Sequence, residues 1–189
     1  GERLLLGLSP TYRLLQDSFM QPTVMVLYLT YACYYLPRKT DSVVKAALKA
    51  EGFSLDMIAL SDSVYLSTYT ISVLFAGLYG SRIPANKLLA VSLVSLAVIN
   101  LLKAVTVSPT QYVALQIVHA VFQSTGWPTC IRVLAIWVVK DRGIIMGVWT
   151  TCQSVGGIFG AVIASYFLNH FSRPHAYLAD IPFLLLTAF

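Results

Sequence analysis

The chain has 189 residues, of which 57% are hydrophobic and 11% charged, with a formal net charge of +5. Soluble domains carry about 25% charged residues, so this composition cannot cover a water-facing surface, and the mean hydropathy of +0.72 agrees. The positive charge is spread through connectors without a basic run or basic helix face, which speaks against nucleic acid and for a lipid bilayer with its phosphate headgroups.

A bilayer core about 30 Å thick needs roughly 20 apolar residues in a helix. Residues 1–18 form an amino-terminal segment that lacks the apolar core and cleavage site of a signal peptide. The first apolar run, 19–36, ends at the cluster Pro37-Arg38-Lys39. A polar connector, 40–56, follows with Lys45, Lys49 and Glu51 spaced as on a surface helix. The second run, 58–79, is rich in Ser, Thr and Tyr, which suits a face turned to protein or water. A short basic turn, 80–87, leads to the third run, 88–105, the most uniformly apolar of all.

The fourth run, 111–139, contains Gly126-Trp127-Pro128, and Pro128 is expected to kink it. A tight charged turn at 140–143 precedes the fifth run, 144–168, with Gly147, Gly156, Gly157 and Gly160. Small residues of this kind let helices approach closely. The sixth run, 177–189, is too short to span. A helix cannot end in hydrocarbon with its carbonyls unpaired, so the chain is expected to continue past Phe189 or to be covered there by another protein.

The reading is an all-α, multi-pass transmembrane bundle over 19–189, with about six spans and the last incomplete. It is integral to a membrane, with an organelle inner membrane and the plasma membrane both open. Basic residues favour neither side: six (Arg3, Arg13, Arg82, Lys87, Lys140, Arg142) against five (Lys39, Lys45, Lys49, Lys103, Arg173). The basic short turns place the amino terminus inside.

Cys33, Cys130 and Cys152 lie within apolar runs and read as small buried hydrophobes. His119, His170 and His175 have no carboxylate or cysteine at ligand spacing. Asp62 has no paired acid, and no Gly-Lys-Ser/Thr follows Gly156-Gly157. No enzyme, metal or cofactor is expected.

Two arginines carry the functional signal. A buried arginine in a membrane helix is costly and usually faces a cavity. Arg38 shares a face with Tyr31, Tyr34 and Tyr35, and can grip a phosphate by forked hydrogen bonds or snorkel to the interface. Arg132 shares a face with Thr125 and Thr129, and either lines a cavity or bonds neighbouring helix ends. Gln116, His119 and Gln123 form a second polar stripe on the same run.

The strings YACYYLPRK at 31–39, FQSTGWPTCIRVLAIWVVKDRGIIMGVW at 122–149 and CQSVGG at 152–157 resemble the organophosphate:phosphate antiporters of the major facilitator superfamily. The resemblance covers almost the whole chain as the first six-helix half of a twelve-helix transporter. It implies alternating-access exchange of a small anionic phosphate ester for phosphate. In that family the arginine matching Arg38 binds phosphate, helped by tyrosines matching Tyr31 and Tyr35, with its partner arginine in the second six-helix half. Gln123 joins the substrate side; Trp127, Pro128 and Arg132, with Gly156 and Gly157, shape the cavity and the packing.

Three departures stand out. A segment-two lysine of the family appears as Val73, an acidic residue of the loop between segments two and three as Ser81, and a segment-five histidine as Gln153. Fewer cations then face a phosphate dianion. Two functions therefore stay open: transport with a second half, or a transporter-derived accessory subunit of a larger membrane complex.

Overall fold

The computed structural model describes residues 22–138 and 142–188, and all of its regular elements are helices. Helix α1 (Pro22–Val43) leads through the short α2 (Lys45–Ala50) to α3 (Leu55–Tyr79), which ends in a 3-10 turn, Gly80–Arg82. Helix α4 (Ala85–Val105) and α5 (Pro109–Ser124) follow, then α6 (Gly126–Trp137), α7 (Arg142–His170), α8 (Arg173–Leu178) and α9 (Ile181–Ala188). Residues 19–21, 139–141 and 189, which the expected segments include, lie outside the described residues.

Helix α1 does not stop at Leu36. It runs through Pro37 to Val43, so Arg38, Lys39 and Asp41 belong to the helix rather than to a connector. Proline is tolerated inside membrane helices where neighbours satisfy the freed backbone groups. Burial drives the extension: Thr40 and Asp41 are both enclosed by later helices. At the start of α3 the Ser54 hydroxyl accepts from the Met57 N–H, and Asp56 sits in the first turn, two standard helix-starting features.

The fourth run breaks at Thr125, between α5 and α6. Pro128 has no N–H to offer the carbonyl of Ser124, four residues back, and its ring crowds that carbonyl. The chain tightens there, with Thr125 N–H donating to Phe122 O at 3.3 Å. Gly126 follows because a side chain would meet the Tyr34 ring, 2.9 Å from the position of a Cβ. The sixth run is also interrupted. It starts earlier, at Arg173, and pauses around the buried Asp180 before Pro182 opens α9.

Helices α1 and α7 pack backbone to backbone. A Cβ on Gly156 would collide with the carbonyl of Ala32, and one on Gly160 would lie 3.0 Å from the Cα of Leu36. Both pairs are one helical turn apart, so a small-xxx-small stripe on α7 receives a ridge of α1. An apolar core lies between α1, α4, α6 and α7, around Tyr34, Leu93, Leu134 and Trp149. A smaller one gathers Leu48, Phe53, Tyr112 and Tyr177 near the end of α1 that carries Arg38.

The outer faces are apolar, with Leu74, Leu78, Val91, Val98, Ile158 and Val162 all exposed. Three helical stretches are long and apolar enough to cross a membrane: Leu55–Arg82, Ala85–Val105 and Arg142–His170. Helix α1 carries three charges near its end, and the fourth and sixth runs are interrupted, so none of these is one long apolar helix.

Candidate functional site

The register of α1 sets Tyr31, Tyr35 and Arg38 along one stripe at i, i+4 and i+7. The Arg38 guanidinium lies over the rings of Tyr35, Tyr65 and Tyr69, 5.6, 5.9 and 5.5 Å from their centres. Tyr65 and Tyr69 are one turn apart on α3 and stack on each other at 6.1 Å. Arginine prefers such aromatic faces because its planar cation is weakly hydrated. Below it opens a cleft of about 230 Å³ lined by Arg38, Asp41, Ser42, Lys45, Asp62, Tyr65, Leu66 and Gln116. Lys45 and Asp62 face each other across it at 2.6 Å.

The other expected substrate residues are placed differently. Tyr31 is 4% exposed and packs its ring between Trp127 and Trp149, at 5.5 and 5.3 Å. The Tyr35 hydroxyl donates to Gln153 Oε1 at 2.8 Å, at a separate opening lined also by Lys39 and Gly157. Gln123 is buried, and its amide donates to the carbonyl of Tyr34 at 2.7 Å. That carbonyl is adjacent to Cys33 O, which Pro37 leaves without its helical N–H partner.

Arg132 is far from Arg38. Its guanidinium donates to the carbonyls of Gly80 and Ile83, closing the end of α3. Both bonds tie it to the turn that follows α3. Trp127 and Pro128 sit in the first turn of α6, behind the Tyr31 cluster.

Beside the cleft stands a polar network that sequence reasoning missed. Lys103, wholly buried on α4, donates to Asp41 Oδ2 at 2.7 Å, Gln116 Oε1 at 3.3 Å and His119 Nδ1 at 2.7 Å. An ammonium has three N–H donors, and here each meets one acceptor. That assignment makes His119 Nδ1 an acceptor and puts the ring proton on Nε2, the side of Gln123 one turn on. The other oxygen of Asp41 accepts from the hydroxyls of Tyr112 and Tyr177, at 3.3 and 3.1 Å. Arg173 closes the same end of the bundle, donating to Glu51, Lys103 O and Thr106 O.

Lys103 reads as a loop charge because it lies near the end of its run, and Asp41 as a connector residue because Pro37 looks like a helix stop. The available signal was the stripe Gln116, His119, Gln123, which marks a polar partner on some other helix. His119 lacks a carboxylate along the sequence but has Asp41 Oδ2 at 3.0 Å in space. Val73 continues the stripe Tyr65, Tyr69 at i+4 and puts an apolar side chain where the resemblance implies a lysine. Ser81 is exposed in the 3-10 turn.

Residues 27–189 match the family profile of the Major Facilitator Superfamily. The chain is similar to the glucose-6-phosphate exchanger SLC37A2 of Xenopus tropicalis, 26% identical over 86% of this chain and 40% of the relative. It is similar to the putative glycerol-3-phosphate transporters 5 and 2 of Arabidopsis thaliana. The first is 30% identical over 87% of this chain and 40% of the relative. The second is 31% identical over 81% and 34%. The chain thus spans about 40% of the length of the curated relatives it matches.

Proposed function

The chain belongs to the Major Facilitator Superfamily, and we propose that it forms one six-span half of an exchanger that carries a phosphate ester against phosphate by alternating access. The relatives bear phosphate-ester names and the chain matches less than half of each, so a second bundle would complete the cavity. The observation that carries the reading is Arg38. Among the described residues no carboxylate pairs with it, and its guanidinium lies on three tyrosine rings at the head of a cleft. With no carboxylate on them, its N–H groups at the head of the cleft are free to take an anion.

In this mechanism the phosphate takes two parallel N–H bonds from Arg38. Tyr35, Tyr65 and Tyr69 hold the guanidinium plane, and Tyr35 trades its bond to Gln153 for a phosphate oxygen. Tyr31 and Gln123 act through packing: Tyr31 sets the ring cluster behind Tyr35, and Gln123 fixes the α1 backbone just before Pro37. Gly156 and Gly157 keep α7 close enough for Gln153 to reach Tyr35.

The test is uptake of labelled phosphate into liposomes that hold the full native chain and unlabelled phosphate ester. Arg38→Ala is expected to abolish exchange, with Arg38→Lys retaining a small part, because a point charge replaces a fork. Exchange indifferent to Arg38→Ala would remove the site.

A second reading, an accessory subunit of a larger membrane complex, is favoured by one observation. Tyr31, Gln123 and Arg132 are engaged within the bundle, and Val73 supplies no cation. Copurification of a stable complex together with absent phosphate exchange would select it.

A further inference from the structure

The charges around the cleft are paired unevenly. Two carboxylates line it, Asp41 and Asp62, and so do two cations, Arg38 and Lys45. Asp41 is answered from behind by Lys103 at 2.7 Å, with side-chain exposures of 11% and 0%. The hydroxyls of Tyr112 and Tyr177 hold the other oxygen of the same carboxylate. A pair so enclosed cannot part without leaving a bare charge in a dry site. Lys45 and Asp62 are as close, at 2.6 Å, but their side chains are 38% and 44% exposed. A half-exposed pair is weak, because water and salt replace either partner readily.

Once these two pairs are cancelled, the one positive charge of Arg38 is left. A phosphate monoester carries about −1.5 to −2 at pH 7, so Arg38 alone leaves the anion undercompensated. Val73, in line with Tyr65 and Tyr69 on α3, offers no cation. The cation that can move is Lys45, on a flexible stem at the start of α2 with its ammonium already in the cleft.

We propose that Lys45 is the second cation of the anion site, held by Asp62 while the cleft is empty and handed to the phosphate when it arrives. The proposal rests on the phosphate reading of the Arg38 cleft. It makes Asp62 a competitor of the substrate rather than a ligand, since carboxylate and phosphate contend for one ammonium. The handover also releases a tie between α2 and α3, so arrival of the anion is felt in the connector between the first two long helices.

The competition gives the two partners effects of opposite sign, which a structural salt bridge does not. With the full native chain in lipid nanodiscs and inorganic phosphate as the probe, calorimetry gives the affinity directly. Lys45→Ala is expected to weaken phosphate binding about tenfold, the loss of one charge-assisted hydrogen bond. Asp62→Asn is expected to strengthen it several-fold. The double variant should match Lys45→Ala, and Lys45→Arg should keep most of the affinity. Weaker binding in Asp62→Asn, or unchanged binding in Lys45→Ala, would overturn the handover. Arg38→Ala separates the two levels. If it abolishes binding while Lys45→Ala does nothing, only the handover fails; if wild type shows no Arg38-dependent binding, the site and the handover fail together.

Discussion

The two ends of the bundle treat their cations differently. At the end where α1 finishes, three cations meet carboxylates from other elements: Lys103 with Asp41, Lys45 with Asp62, and Arg173 with Glu51, Arg173 also holding the carbonyls of Lys103 and Thr106 at the end of α4. At the end where α3 and α6 finish, Arg132 donates to Gly80 O and Ile83 O, and Arg142 to Ala135 O and Val138 O. Those carbonyls lie at or just beyond the ends of helices, and a cation there also complements the helix dipole. A carbonyl at a helix end is fixed, whereas a half-exposed carboxylate such as Asp62 can lose its partner to another anion. The difference teaches that one end can respond to a charged visitor, while the other closes the helices.

Three substitutions sharpen that contrast. The largest effect should come from Lys103→Met, which leaves Asp41 enclosed without its cation. Breaking one side of a buried pair costs about 3–5 kcal/mol. A thermal inactivation curve in detergent should show the loss, and Lys103→Met combined with Asp41→Asn should recover much of it. If the single and double variants are equally unstable, Asp41 and Lys103 do not act as a pair.

Gly156→Val comes next. It drives a side chain into the Ala32 carbonyl, and overpacking of this kind typically costs about 1–3 kcal/mol. Because α1 carries Arg38, this variant should lose phosphate affinity together with stability. Gly147→Ala on the same helix has open space around it and should leave both unchanged.

The smallest of the three is Arg132→Gln. Losing charge-assisted bonds to two partly exposed carbonyls should cost about 1–2 kcal/mol. Phosphate affinity should stay at the wild-type value, since Arg132 is bonded at the opposite end of the bundle from the cleft. A drop in affinity as large as that of Arg38→Ala would erase the distinction between the ends.

Much of this was legible in the sequence where the cause is local. Pro128 announces a kink in its helix, and the structure breaks the helix at Thr125, beside the Ser124 carbonyl that loses its N–H partner. Gly156 and Gly160 announce close packing, and Tyr31, Tyr34, Tyr35 and Arg38 announce a common face, although Tyr34 is wholly buried in the apolar core. The family resemblance rested on short strings, one of which, CQSVGG, departs from the family at Gln153.

What stayed hidden depends on pairings distant along the chain. Asp41 and Lys103 are 62 positions apart, and nothing near either one shows that they meet. Pro37 reads as a helix stop because its ring and missing N–H act against the turn before it. Only the burial of Thr40 and Asp41 by later helices carries α1 onward. Tyr65 and Tyr69 were visible merely as hydroxyl-rich positions, since their role comes from an arginine on another helix. Arg132 could not be assigned, because a cavity and a helix end both suit a buried guanidinium.

The central claim, that phosphate sits on Arg38, is open to direct measurement by solid-state NMR. Dipolar recoupling between the phosphorus of inorganic phosphate and 15N-labelled arginine side chains, with the full native chain in lipid, reports their contact. The expected result is a contact that vanishes in Arg38→Lys and persists in Arg132→Lys. A phosphorus–guanidinium contact that survives Arg38→Lys would contradict the account.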